Sequence, residues 1–133
     1  MSLFDVSEVA VLDMLFGSGS PAQYELGLST VSSISDSGVG GEPSGSGYAR
    51  VSIDNDLVTF PGATTVGGVT TSVNGVTFSF APATGSWGTV RSWFLYDPTN
   101  VRNVIHGTLS TPKSVVSGDI FQIPSGTMII TLD

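Results

Sequence analysis

The chain has 133 residues, with four Lys or Arg against eleven Asp or Glu, a formal net charge of -7 and no cysteine. That excludes disulfides and thiolate metal sites, and it denies a nucleic-acid backbone or an anionic membrane the concentrated positive face either would need. Only 11% of residues are charged while 40% are hydrophobic, which describes a packed fold with a Ser/Thr/Gly surface that docks with few charges to strip of water.

The opening MSLFDVSEVAVLDMLFG carries no basic residue and is interrupted by Asp13. It therefore reads neither as a signal peptide nor as a membrane span. Residues 5–16 read as a short helix, with Asp5 at the N-cap and Glu8 at N3 in the manner of a capping box. Val9, Leu12 and Phe16, with Val11 and Leu15 beside them, form a broad apolar stripe, and Gly17 stops it. So short a helix is marginal alone. It must pack either on its own β-domain or, as an arm, on a partner. The expected organisation is a helix and linker over 1–22, followed by a β-domain over 23–133.

Tyr24, Leu26 and Leu28 alternate with polar or small neighbours, the period of a half-buried strand. Residues 32–47 are rich in Ser and Gly without periodicity. This is a long loop of the kind that serves as a binding surface or is ordered by a neighbour. Tyr48 to Ile53 alternates again, Asp54 to Asp56 predicts a turn, and Leu57 to Phe60 predicts a short strand. Gly67-Gly68 suggests a turn. Asn74-Gly75 is a strong tight-turn signal, which places a hairpin through 69–80.

Trp87 to Asp97 carries large apolar groups on both faces and predicts a central strand. Residues 103–109 predict another strand, broken at Pro112. Short pieces follow around Val115 and Ile120 to Ile123, with a last strand over 127–132. About eight short strands between Gly/Pro-rich turns predict a mainly β, single-domain β-sandwich or jelly roll with a short N-terminal helix.

No residue constellation predicts catalysis. His106, the single histidine, has no activating carboxylate or nucleophile assigned by the sequence and reads as a neutral side chain in a half-buried strand. Asp54, Asn55 and Asp56 lack the spacing of a calcium loop and read as an Asx-capped turn. The glycines over 38–47 lack the Gly-Lys-Ser/Thr of a phosphate loop. Among the aromatics, Trp93 and Tyr96 are assigned to the core and Trp87 to the surface. Arg50 and Arg91, rare cations in strand-like segments, are expected to be paired or at a rim. No metal, cofactor or small-molecule ligand is expected.

The runs EPSGSGYAR (42–50) and FAPATGSWGTV (80–90), then FLYD (94–97), GTL (107–109), TPKS (111–114) and Gly118-Asp119, resemble a family of small virion proteins of tailed bacteriophages. The helical start and YELGLST (24–30) fit as well. Members are often labelled tail fibre proteins, and similar small β-proteins decorate or cement phage heads. The resemblance implies a structural virion protein present in many copies, with no enzymatic role. It leaves head against tail undecided.

The leading expectation is a capsid decoration or cement protein on the outer capsid surface. Its partners would be the major capsid protein and copies of itself, as a homodimer or homotrimer. Val9, Leu12, Phe16, Arg50, Trp87 and Arg91 are its candidate assembly contacts. Small size and the lack of heptads or a fibrous period favour this over a fibre shaft. The alternative is a tail or baseplate adaptor, or a fibre-associated protein that binds host glycans.

Overall fold

A computed structural model describes residues 2–132. One helix, α1 (Asp5–Leu15), precedes nine strands among the described residues: β1 (Gln23–Ser29), β2 (Val51–Asp54), β3 (Thr64–Val66), β4 (Val69–Val73), β5 (Phe78–Ser79), β6 (Gly88–Asp97), β7 (Arg102–Val115), β8 (Gln122–Ile123) and β9 (Ile129–Leu132). They form a four-stranded sheet in the order β2-β1-β6-β7, a three-stranded sheet β3-β4-β9 and a two-stranded sheet β5-β8. The protein is mainly β with a short N-terminal helix. The chain divides into two compact units, the first made of 1–23, 53–78 and 123–133, the second of 24–52 and 79–122.

In the first unit α1 packs on β4 and β3. Leu12 and Phe16 are buried there, and the Phe16 ring lies 5.3 Å from that of Phe60. The capping box does not form. Phe4 is the N-cap and no side chain caps the helix. Glu8 turns inward instead, 3% exposed, and accepts a 2.8 Å hydrogen bond from the Thr70 hydroxyl. A buried carboxylate needs such a donor more than the helix end needs a second cap.

Two other corrections concern turns. Residues 57–60 are a turn, not a strand. The Asp56 carboxylate accepts from the backbone N–H of Val58 (3.1 Å) and Thr59 (2.8 Å), and this Asx geometry outcompetes extension. The hairpin forms one turn earlier than Asn74-Gly75. Gly67 and Gly68, with φ of 60° and 79°, join β3 to β4 with Val66 opposite Val69. Both central residues of that two-residue loop need positive φ, which glycine adopts freely.

Asn74 is used differently. Its buried side chain donates to the carbonyls of Val76 (2.9 Å) and Pro124 (3.0 Å) and accepts from the N–H of Met128 (2.9 Å). Asn55 plays a similar part. It accepts from Gly17 N–H at 2.6 Å and donates to the Pro21 carbonyl at 2.9 Å.

In the second unit β6 is central, flanked by β1 and β7, and Leu26, Leu28, Val90, Phe94 and Leu95 are all at most 1% exposed. Strand β7 does not stop at Pro112. The register jumps from Val90↔Lys113 to Ser92↔Thr108, so residues 109–112 bulge opposite Arg91. A bulge accommodates a residue with no N–H to give to the ladder. At the other end of β6 Asp97 is fully buried, holds the backbone N–H of Thr99 and Asn100, and lies 3.7 Å from Arg102.

Two glycines in this sheet lie beneath aromatic rings. Gly27 pairs with Phe94 and Gly107 with Trp93. A Cβ on Gly107 would come within 2.5 Å of the Trp93 indole, and one on Gly27 within 2.2 Å of the Phe94 ring. Gly107→Val is expected to cost about 2–3 kcal/mol through overpacking. Chemical denaturation followed by Trp fluorescence measures it, and an unchanged midpoint would show that the indole has no close seat on Gly107.

Candidate functional site

The 32–47 loop is ordered by its own unit. Thr30 N–H reaches the Gly41 carbonyl at 3.0 Å, the Ser29 hydroxyl bonds the Gly40 carbonyl, and Ser92 Oγ donates to the Val31 carbonyl at 2.6 Å. The end of the loop carries Glu42, which meets Arg50 in a two-pronged ion pair, Nε to Oε2 and Nη2 to Oε1, each 2.9 Å. Arg50 Nη1 also lies 3.4 Å from Glu25, and its guanidinium carbon stands 5.0 Å from the Phe94 ring centroid and 4.9 Å from that of Tyr96. Forked pairing and ring stacking are both arginine geometries that lysine does not reproduce.

Tyr48 links this ion group to an aromatic cluster. Its hydroxyl donates to Glu42 at 2.8 Å and accepts from Leu28 N–H at 3.0 Å. Burial of the Glu42 carboxyl acts to raise its pKa, but the hydrogen bonds from Arg50 and Tyr48 outweigh it and hold the group below its ordinary value. Burial, with Glu42 beside it, pushes the Tyr48 phenol up. Tyr24 is pushed up to about 12 by burial and then by the charge of Asp97, with Arg102 partly offsetting both.

Trp87, expected at the surface, is 5% exposed. Its indole N–H donates to the Ser46 carbonyl at 2.9 Å and its ring meets Tyr48 edge-on at 5.3 Å. Phe80 and Phe121 complete the cluster. The reason is the polar handle: a buried indole is stable once its N–H has a partner. Tyr24 and Trp93 are 1% and 6% exposed, so neither these nor Trp87 offers an open stacking face to a sugar.

His106 borders a cavity of about 110 Å³ lined by residues of the 34–39 and 103–106 segments and by Phe94. Its Nε2 is 3.4 Å from Asp36 Oδ1, and the histidine side chain is 39% exposed, more open than the half-buried strand position expected of it. An exposed pair at this distance contributes little to stability. The cavity is small beside the roughly 300–1,000 Å³ of typical small-molecule sites.

The candidate assembly contacts are scattered. Leu12 and Phe16 lie in the interior of the first unit, Val9 is half-buried, Trp87 and Arg50 belong to the networks just described, and Arg91 is exposed opposite the β7 bulge. Most of the exposed large apolar side chains are elsewhere in the first unit, led by Phe4 (83%), Val66 (80%), Val6 (75%) and Met14 (71%). A signal for part of this set is present in the sequence: Val6, Ala10 and Met14 recur at i, i+4 and i+8, a second apolar stripe beside the one that packs inward.

A family model described as Gp80, Podophage GP4 fiber I protein gp80, matches residues 2–131. A comparison with curated proteins finds no match.

Proposed function

This chain belongs to the Gp80 family, a β-rich structural protein of the phage virion, and we propose that it serves in the tail fibre of a podophage as a non-enzymatic component. The observation that carries the proposal is the extent of the family match, which takes in both compact units. The fibre description favours the tail over the outer capsid surface, so the decoration role expected from small size and absent heptads gives way to the tail reading. A fibre component without a fibrous repeat works as a preformed body: its long loop and its Arg50 network are held by hydrogen bonds within one unit. Little ordering cost then remains to be met on assembly. The sandwich or jelly-roll arrangement of the strands, and self-association as a dimer or trimer, belong to the same proposal.

The test is reconstitution. Purified protein is mixed with tails lacking it and, separately, with expanded heads lacking it, and co-sedimentation and stoichiometry are measured. Saturable binding to tails at a small fixed copy number is the expected result. Binding to heads at a capsid-wide stoichiometry, with none to tails, would restore the decoration role.

A further inference from the structure

The helix α1 is apolar on two faces. Its one interior carboxylate, Glu8, is 3% exposed, whereas Val6 and Met14 are 75% and 71% exposed and Phe4, just before the helix, is 83% exposed. Ala10 is exposed between Val6 and Met14. Residues spaced by four lie on one helix face, so these side chains form an apolar stripe opposite the one made by Leu12 and Phe16. A helix that is apolar on both faces belongs between two surfaces. Strands β3 and β4 supply one of them.

The charge of the unit that carries this face has one sign. The described part of the first unit contains Asp5, Glu8, Asp13, Asp54 and Asp56 and no Lys, Arg or His, while all four basic residues and His106 lie in the second unit. Asp13, exposed and bordering the Val6 and Met14 stripe, is on α1 itself, whereas Asp5, two turns before Leu12, lies on the Leu12 side.

We propose that the outer face of α1, centred on Phe4, Val6 and Met14, is a docking site for another protein whose contacting face is apolar and rimmed by Lys or Arg. A second copy of this chain, presenting the same face, would bring the same acids and be repelled. An anionic membrane is disfavoured for the same reason. Basic residues on the partner meet Asp13 while its apolar centre covers the exposed stripe. The proposal rests on this surface alone and stands whether the protein sits on the tail or the head.

The probe is a labelled amphipathic Leu/Lys helical peptide, with a Leu/Glu peptide and a Gly/Lys peptide of equal length as controls. Binding to the full chain is read by fluorescence anisotropy. Saturable binding of the Leu/Lys peptide alone is expected. It should weaken about tenfold or more in the V6E/M14E double variant and also on raising salt from about 50 to about 500 mM, where exposed charges are screened. The D13N variant, which retains an acceptor for the 2.8 Å bond from Ala63 N–H to Asp13, should weaken binding at low salt with an unchanged melting temperature. This second variant keeps the test open if V6E/M14E does not fold.

Equal binding of the Leu/Lys and Gly/Lys peptides, equal binding of the Leu/Lys and Leu/Glu peptides, or no binding of the Leu/Lys peptide would overturn the proposal. So would an equal loss in V116E, a substitution in the second unit. A concentration-dependent dimer that M14E dissolves would assign the face to a second copy and overturn it as well. Loss of tail binding with peptide binding intact would count against the tail reading and leave this inference standing.

Discussion

Replacing Asn74 with alanine is expected to destabilise the protein by about 2 kcal/mol, since the Met128 N–H and the Val76 carbonyl lose their side-chain partner at once, while the Pro124 carbonyl keeps its bonds from Thr127, and each unsatisfied group costs about 1–3 kcal/mol, with some relaxation. The amide now serves the Val76 and Pro124 carbonyls and the Met128 N–H, each within 3.0 Å, at a site 1% exposed. Asn74→Asp is expected to be at least as damaging, because it exchanges two donors for an acceptor facing two carbonyls. Urea unfolding followed by circular dichroism measures both. A loss under about 0.5 kcal/mol for the alanine variant would mean that the 74–76 and 124–128 segments hold each other without the amide.

The second large effect is expected at Arg50. Arg50→Ala removes the forked pair with Glu42, leaves Glu42 and Glu25 without their cation, and uncovers the faces of Phe94 and Tyr96. Breaking a fully buried pair costs about 3–5 kcal/mol. Here the arginine side chain is 31% exposed and that of Glu42 25%, so about 2 kcal/mol is the expected loss after solvent screening. Arg50→Lys should recover less than half of it, because the fork and the stacking are lost. A double-mutant cycle with Glu42→Gln separates the pair from the stacking.

The pair also predicts a pH dependence. The Glu42 pKa is lowered in the folded protein from an ordinary value of 4.5. Its contribution is therefore fully present above that ordinary value and is lost as pH falls through the depressed folded value. Between about pH 6 and about pH 3 the unfolding midpoint of the wild type should fall more steeply than that of Glu42→Gln. Parallel curves would show that the carboxylate gains nothing from Arg50.

How much of this was legible beforehand depends on the range of the interaction. The period-two alternation of Tyr24, Leu26 and Leu28 marked β1, and the doubly apolar run after Trp87 marked β6 as central. Both are local patterns that burial of a sheet face imposes directly. Gly67-Gly68 was readable as a turn because only glycine takes positive φ twice without strain. The candidate docking face was half-legible: the stripe at residues 6, 10 and 14 was present, but a helix with two apolar stripes does not say which one faces inward.

By itself, then, the sequence determined the mainly β class, the short N-terminal helix, the absence of thiol chemistry and, through the runs between residues 42 and 119, a likeness to small phage virion proteins. Only the tertiary structure decided between competing local signals. Asn74-Gly75 lost the hairpin because its side chain finds partners about 50 residues away. Asp5 and Glu8 did not form a capping box because Thr70, 62 residues on, supplies Glu8 with a donor. Trp87 is buried because the Ser46 carbonyl, 41 residues back, accepts its N–H. Pro112 lies inside β7 because the register opens a bulge opposite Arg91. Period and turn chemistry act over a few residues and are printed in the chain; the satisfaction of a buried polar group depends on whatever the fold brings beside it.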